Sequence, residues 1–156
     1  MNKNEISKVI VALDWRTPVS EASMIIDSLS KLNDKDVIGK IFNEGGKNTW
    51  EGFVKLAAAA EPSNRRAYFP YLLELLQDMN WPGSLAAMEL LEKSDLEEVI
   101  AYLKEAICQA FEKRDFIWMS GLDWLVHNIE QRNGVKLFLD EEDIYNKLSF
   151  AEVFYY

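Results

Sequence analysis

The chain has 156 residues, 49% of them hydrophobic, and its 26 acidic and 17 basic side chains give a formal net charge of −9. This charge opposes the counterion release that drives binding to phosphate backbones, so nucleic acid is not an expected partner. No apolar segment approaches the roughly 20 residues that span a bilayer, and no signal-peptide core precedes Asp14, so we expect a cytoplasmic protein without membrane contact.

Apolar residues in the first half repeat with the 3.6-residue period of amphipathic helices. We expect Thr17 to cap a second helix that begins at Pro18, Asp34 to cap a third, and Gly45-Gly46 to end that third helix. Asn48 or Thr49 suits the start of a fourth. The predicted inward faces are Ile6, Val9, Ile10 and Leu13; Ala22, Ile25, Ile26, Leu29 and Leu32; Val37, Ile38, Ile41 and Phe42; and Trp50, Phe53, Val54 and Ala57.

The same pattern predicts four further helices in the second half. A sixth helix starts near Pro82, Ser94 and Glu97 suit a capping box for the seventh, and Asp115 suits the N-cap of the eighth, which ends at Asn133-Gly134. The predicted inward faces are Phe69, Leu72, Leu73 and Leu76; Trp81, Leu85, Met88 and Leu91; Leu96, Val99, Ile100, Leu103, Ile107 and Ala110; and Trp118, Leu122, Leu125, Val126 and Ile129.

The tail from about residue 135 to 156 departs from this rhythm. It contains an acidic run, Asp140 to Asp143, a possible short helix to Leu148, and an aromatic end. We treat residues 1–156 as a single domain with an irregular tail, whose aromatic residues from Phe150 to Tyr156 offer one route to a homo-oligomer.

A tryptophan stands near the turn of each predicted helix pair, at Trp15, Trp50, Trp81 and Trp118. These residues are roughly 31 to 37 positions apart, an interval typical of repeats built from helix pairs. We therefore predict an all-α fold, a short right-handed α-solenoid of the HEAT or armadillo type with about four helix pairs. The tryptophans are interpreted as wedges between neighbouring units.

Three segments also carry a resemblance. They are YLLELLQDMNWPG, NTWEGFVKLAAA before it and DFIWMSGLDWLV after it. Together, over about Trp50 to Val126, they resemble an uncharacterised bacterial family, a domain of unknown function whose members look like short HEAT-type repeat proteins. The resemblance implies a helical-repeat fold and brings no known activity, substrate or catalytic residue.

The candidate binding residues are acidic side chains and one tryptophan. Acids outnumber bases strongly between Glu74 and Glu98, so we expect an acidic surface that attracts a basic protein partner. Trp124 points away from the predicted core stripe of its helix. We expect it to be buried against a neighbouring helix or the tail, with exposure as an interface anchor as the alternative. The candidate partner-binding residues are Glu74, Asp78, Glu89, Glu92 and Trp124.

The expected function is a non-catalytic protein-binding module, for example an immunity-type protein that neutralises a toxin. No carboxylate pair is marked as acid and base, and a single histidine with a single cysteine makes a poor metal site, so no catalytic residue, metal or cofactor is expected. One alternative is a helical-repeat enzyme acting on nucleic acid, which needs a basic groove formed by Arg16, Lys47, Arg65, Arg66, Lys113 and Arg114. The other is a structural module that self-associates through its tail.

Overall fold

The computed structural model describes residues 1–151, and their regular secondary structure is entirely helical. The all-α prediction is therefore confirmed. The helices are α1 (Lys3–Leu13), α2 (Val19–Ser28), α3 (Lys35–Gly45), α4 (Trp50–Ala59), α5 (Pro62–Arg65), α6 (Phe69–Glu74), α7 (Ser84–Lys93), α8 (Leu96–Glu112), α9 (Phe116–Asn133) and α10 (Glu142–Leu148), with 3-10 turns at Lys47–Thr49, Arg66–Tyr68 and Leu75–Gln77. Within residues 1–151, no helix combines the length and the apolar character needed to cross a bilayer.

The helices pack in two alternating layers. In the first layer α1 contacts α3, α3 contacts the Arg66–Tyr68 turn that leads into α6, α6 contacts α8, and α8 contacts α10. In the second layer α2 contacts α4, α4 contacts α7, and α7 contacts α9. Chain neighbours α1 and α2, α3 and α4, α6 and α7, and α8 and α9 pack across the two layers. Each helix of a pair therefore meets its counterpart from the next pair.

Several predicted helix ends are confirmed by their hydrogen bonds and backbone angles. The Asp34 carboxylate accepts from the N–H groups of Asp36 and Val37 at 3.0 and 3.1 Å. Asp115 caps α9 in the same way by accepting from the Trp118 N–H at 3.0 Å. Gly134 ends α9 with a φ of 66°, a left-handed conformation that glycine adopts without a Cβ penalty.

Three predicted capping bonds are absent, because the hydroxyl groups of Thr17, Ser94 and Thr49 donate to carbonyl oxygens instead, although Thr49 does occupy the N-cap position of α4. The Thr17 hydroxyl donates to the Val11 carbonyl at 2.6 Å, and Pro18 occupies the N-cap position of α2. The Ser94 hydroxyl donates to the Leu90 carbonyl at 2.6 Å, so Asp95 caps α8 instead. The Thr49 hydroxyl likewise donates back to the Gly46 carbonyl at 2.9 Å.

The start of α7 also differs from the prediction, and this changes which of its residues face the core. The helix begins at Ser84, whose buried hydroxyl donates to the carbonyls of Leu75 and Asp78 at 2.7 and 2.9 Å. Pinned in this way, α7 turns Ser84 and Ala87 inward and leaves Leu85 60% exposed. The prediction that Leu85 faces the core is therefore wrong.

The four turn tryptophans do not share one role. Trp118 is 4% exposed, and its indole Nε1 donates to the Leu73 carbonyl at 2.9 Å, as expected of a wedge. Trp50 and Trp81 are half-buried and pack on each other with ring centroids 5.0 Å apart. Trp15 is 68% exposed, so the wedge interpretation is wrong for this residue. Its backbone N–H donates to the carbonyl of Asn48, in the 3-10 turn before α4, while its ring stays outside.

Glycines on two second-layer helices permit close approach to the rest of the chain. A Cβ added at Gly52 of α4 would lie 2.3 Å from the Leu13 carbonyl oxygen. A Cβ added at Gly121 of α9 would lie 2.2 Å from the Leu76 carbonyl oxygen. Since these atoms belong to backbone, which cannot move aside cheaply, glycine sets the packing distance at both contacts.

The described part of the tail folds against α8 and α9. Phe138, Ile144 and Leu148 are buried, and the predicted short helix is present as α10. The Glu130 carboxylate of α9 accepts from the Tyr145 hydroxyl at 2.6 Å and from the Leu137 N–H at 3.0 Å. The tail thus completes the core, while Phe154, Tyr155 and Tyr156 lie outside the described residues.

Candidate functional site

The most distinctive exposed apolar surface lies along α7 and α9, the last two helices of the second layer. Leu85, Glu89 and Glu92 form one stripe of α7 at positions i, i+4 and i+7. Ile117, Trp124 and Asn128 form one stripe of α9 at i, i+7 and i+11. We call these six residues the α7–α9 seam.

Asn128 joins the two stripes. Its side-chain amide donates to the Glu92 carboxylate at 2.8 Å and lies 3.6 Å from the Met88 sulfur. Met88 is one turn of α7 beyond Leu85, and Asn128 is one turn of α9 beyond Trp124. The two stripes therefore meet where Asn128 contacts Glu92 and Met88.

The seam leaves large apolar side chains in contact with solvent. Trp124 is 39% exposed, Ile117 48% and Leu85 60%. The expected burial of Trp124 is therefore not found, and its alternative, partial exposure to solvent, is what the structure shows. Glu89 is exposed beside Leu85, and Glu92 is half-buried through its bond to Asn128. The seam consequently combines apolar contact area with an acidic edge.

Exposed apolar side chains are distributed unequally between the two layers. In the second layer, α2 exposes Val19 and Met24, α7 exposes Leu85, and α9 exposes Ile117 and Trp124. In the first layer, α3, α6, α8 and α10 expose no large apolar side chain among residues 1–151, and α1 exposes Val11. The structure therefore distinguishes one layer by its apolar surface.

The other two acidic candidates have different neighbours. The Asp78 carboxylate accepts from the Asn80 N–H at 2.9 Å and stabilises the turn before α7. Glu74 faces a cleft between α6 and α8, and its burial raises the pKa of its carboxyl group while the nearby Lys113 opposes that shift. Glu89, Glu92 and Trp124 thus share the seam, whereas Glu74 and Asp78 lie against other elements.

The cleft has a volume of about 210 Å³. Sequence patterns gave no indication of it, because its wall combines helices that are far apart along the chain. It is lined by Pro70, Leu73 and Glu74 of α6; Gln77; Tyr102, Glu105, Ala106 and Gln109 of α8; Lys113; and Trp118. The Lys113 ammonium lies 5.8 Å from the centroid of the Trp118 ring.

The basic side chains proposed for a nucleic-acid groove contact separate parts of the molecule. Arg16 pairs with Asp14 at 2.7 Å and lowers the pKa of that carboxyl to about 2. Arg65 donates to the carbonyls of Ala57, Ala58 and Ala60 at the end of α4. The Lys47 ammonium lies 5.3 Å from the centroid of the Trp81 ring, whereas the Lys113 ammonium lies over a different ring, that of Trp118.

Comparison with protein-family models, with curated proteins and with solved structures finds no match for this chain. The resemblance of the QDMNWPG segment to an uncharacterised helical-repeat family therefore stays a prediction, and the candidate site rests on the chain's own geometry.

Proposed function

We propose that this protein is a non-catalytic protein-binding module and that the α7–α9 seam is its contact surface. The observation that carries the proposal is the exposure of Trp124, Leu85 and Ile117 on the two stripes that Asn128 joins, together with the carboxylates of Glu89 and Glu92. Tryptophan is enriched among the residues that dominate binding energies, because it buries a large area at little entropic cost. Large exposed apolar patches with polar edges mark interaction sites on folded proteins.

The chemistry of the seam specifies the partner as a segment with both apolar and basic side chains. Its apolar residues would cover Trp124 and Leu85, and its basic residues would face Glu89 and Glu92. The formal charge of −9 would accelerate the encounter with such a partner, an effect that weakens as salt screens the charges. Binding is therefore expected to lose strength between low and physiological ionic strength.

Beyond the all-α class, we propose that the fold is a short right-handed α-solenoid of about four helix pairs, and the arrangement of the helices supports this. Within each layer a helix contacts its counterpart from the next pair, as repeat architectures require. In such a fold the second layer forms a continuous face. The unequal exposure of apolar residues then assigns binding to that face.

One specific form of the proposal is a bacterial immunity-type protein that neutralises a toxin from the cytoplasm. It rests on analogy between small acidic helical proteins, and a basic toxin domain would satisfy the charge pattern of the seam. A toxin gene beside the gene for this chain would support it, and inhibition of that toxin by the purified chain would test it.

The two alternatives receive less support. A nucleic-acid enzyme needs a concentrated basic groove, whereas Arg16, Arg65, Lys47 and Lys113 contact separate neighbours. Self-association through the tail needs free aromatic surface, and the Phe150 ring, which is 56% exposed, already uses part of its surface against Phe111 and Phe116 of its own chain at 5.6 and 6.2 Å. Light scattering before and after removal of residues 150–156 distinguishes a self-associating tail from a tail that serves only its own fold.

Affinity capture from native extract tests the proposal when wild type is compared with matched variants. Trp124→Ala and Glu92→Lys are expected to lose a partner that wild type retains at low salt. The control Lys40→Glu, on exposed α3 in the first layer, is expected to retain it. Equal recovery of every protein by wild type and both seam variants would contradict the proposal.

A further inference from the structure

The cleft between α6 and α8 contains a carboxylate that the fold itself does not use. Among residues 1–151, the Glu74 side chain has no hydrogen bond and no ion pair within 4.0 Å. The surrounding protein removes part of its hydration, which is why the pKa of the carboxyl is raised. A half-buried carboxylate without a hydrogen-bond partner in the described chain is free to pair with a ligand cation.

The walls of the cleft supply aromatic surface as well as charge. Tyr102 and Trp118 line it, and Glu105 adds a second carboxylate. The ammonium of Lys113 already lies over the Trp118 ring at 5.8 Å, which shows that this wall accepts a cation. Lys113 also lowers the pKa of Glu74, so the chain's own cation partly neutralises the cleft.

The size and polarity of the cleft restrict what it can hold. Its volume of about 210 Å³ is below the roughly 300–1,000 Å³ typical of pockets for drug-sized ligands. It therefore suits a group the size of one side chain. The amides of Gln77 and Gln109 offer carbonyl oxygens that accept hydrogen bonds from N–H donors.

We propose that the α6–α8 cleft binds a single organic cation, a guanidinium or primary ammonium group. Glu74 is its counter-ion, the Trp118 ring its aromatic contact, and Lys113 an internal competitor that the ligand displaces. The cleft lies against first-layer helices, whereas the seam lies in the second layer, so this site does not depend on the proposed function.

The test is a titration of the full chain followed through the indole N–H signal of Trp118 in nitrogen-edited NMR spectra. The probes are agmatine, which is a free small cation, and N-acetyl-arginine amide, which represents a protein side chain. Each cation is expected to change the chemical shift of the Trp118 indole signal until the site is saturated. The uncharged control, N-acetyl-glutamine amide, is expected to cause no change. Stronger binding of agmatine indicates a metabolite as the source of the cation, and stronger binding of the arginine derivative indicates a protein.

Two variants with opposite expected effects distinguish the cleft from a nonspecific acidic surface. Glu74→Gln should weaken cation binding at least tenfold while leaving the melting temperature unchanged or higher, because a desolvated charge is removed. Lys113→Ala should strengthen binding severalfold, because the internal competitor is lost. Glu44→Gln, exposed on α3 and outside both proposed sites, is the matched control and should bind as wild type does.

Equal binding by wild type and Glu74→Gln would overturn the proposal. Weaker binding by Lys113→Ala would also overturn it. An equal loss in Glu44→Gln and Glu74→Gln would do the same, since that result indicates only general attraction to an acidic protein.

Discussion

The two tryptophans of α9 differ in burial: one is part of the core and the other lies on an exposed surface. Trp118 is buried, bonded to the Leu73 carbonyl and adjacent to first-layer helices. Six residues later, Trp124 lies in the α7–α9 seam, open to solvent. The same residue type thus stabilises the stack in one position and exposes apolar surface in the other. The role of a tryptophan therefore depends on which side of its helix it occupies, toward the core or toward solvent, and not on its residue type.

The largest expected effect comes from truncating the buried member of this pair. Trp118→Ala should lower the free energy of unfolding by about 3–5 kcal/mol, because it leaves a cavity and removes a buried hydrogen bond. Chemical denaturation followed by circular dichroism measures the loss. The matched variant Trp15→Ala should change stability by no more than about 0.5 kcal/mol, since Trp15 is exposed. Similar losses in both variants would show that the turn tryptophans act alike.

A smaller loss is expected where the second layer approaches the backbone of its neighbour. Gly121→Ala should cost about 1–3 kcal/mol, because the new Cβ would overlap the Leu76 carbonyl oxygen and force a shift of α9. The favourable helix propensity of alanine offsets less than about 1 kcal/mol of that cost. Thermal unfolding measures the difference, and a variant as stable as wild type would show that α9 can move away from the Leu75–Gln77 turn freely.

The tail contact should respond to acid. Burial opposes ionisation of Glu130, but its bonds from Tyr145 and Leu137 and the nearby Lys136 outweigh burial and lower the pKa of its carboxyl. A carboxyl whose folded-state pKa is lowered contributes stability above its ordinary value near 4.5, and that contribution is lost as the pH falls below it. Glu130→Gln should therefore cost about 1–2 kcal/mol at neutral pH and flatten the decline in stability on acidification.

Stability curves of wild type and Glu130→Gln between pH 7 and pH 3 check this prediction. Glu142→Gln is the control, because Glu142 is exposed in the first turn of α10. Parallel curves for wild type and Glu130→Gln would contradict the role assigned to the Glu130 contacts.

The smallest expected change in stability belongs to the exposed member of the pair. Trp124→Ala should alter the free energy of unfolding by less than about 1 kcal/mol, because its ring already contacts solvent. A loss as large as that of Trp118→Ala would place Trp124 in the core and remove the argument for the seam. Denaturation under the conditions used for Trp118→Ala makes the two values directly comparable.

Sequence periodicity predicted the all-helical fold and most of the buried faces, because the burial of α3, α6, α8 and α9 follows a 3.6-residue repeat. It failed where tertiary hydrogen bonds overrode local preference. The Ser84 hydroxyl bonds to Leu75 and Asp78 and so sets the phase of α7, which exposes Leu85. The Ser94 hydroxyl bonds to Leu90 and leaves capping to Asp95.

The candidate site was predictable only in part for the same reason. Trp124, Glu89 and Glu92 could be singled out from the sequence, since helical spacing separates them from the core stripes. Their common position could not, because it depends on the packing of α7 beside α9 and on the bond from Asn128 to Glu92. The α6–α8 cleft left no signal in the sequence, since its lining combines residues near α6 with residues of α8 and the start of α9, which lie far from α6 along the chain.

Site-specific photocrosslinking tests the central claim most directly. A photoreactive phenylalanine analogue at position 124, in the seam, is compared with the same analogue at position 40, exposed on first-layer α3. Position 124 should yield a crosslinked protein that position 40 does not, through a segment with basic and apolar residues. The yield should fall at raised salt and in Glu89→Lys or Glu92→Lys. The same products from both positions, or a product from position 124 that neither salt nor those charge reversals diminish, would contradict the account.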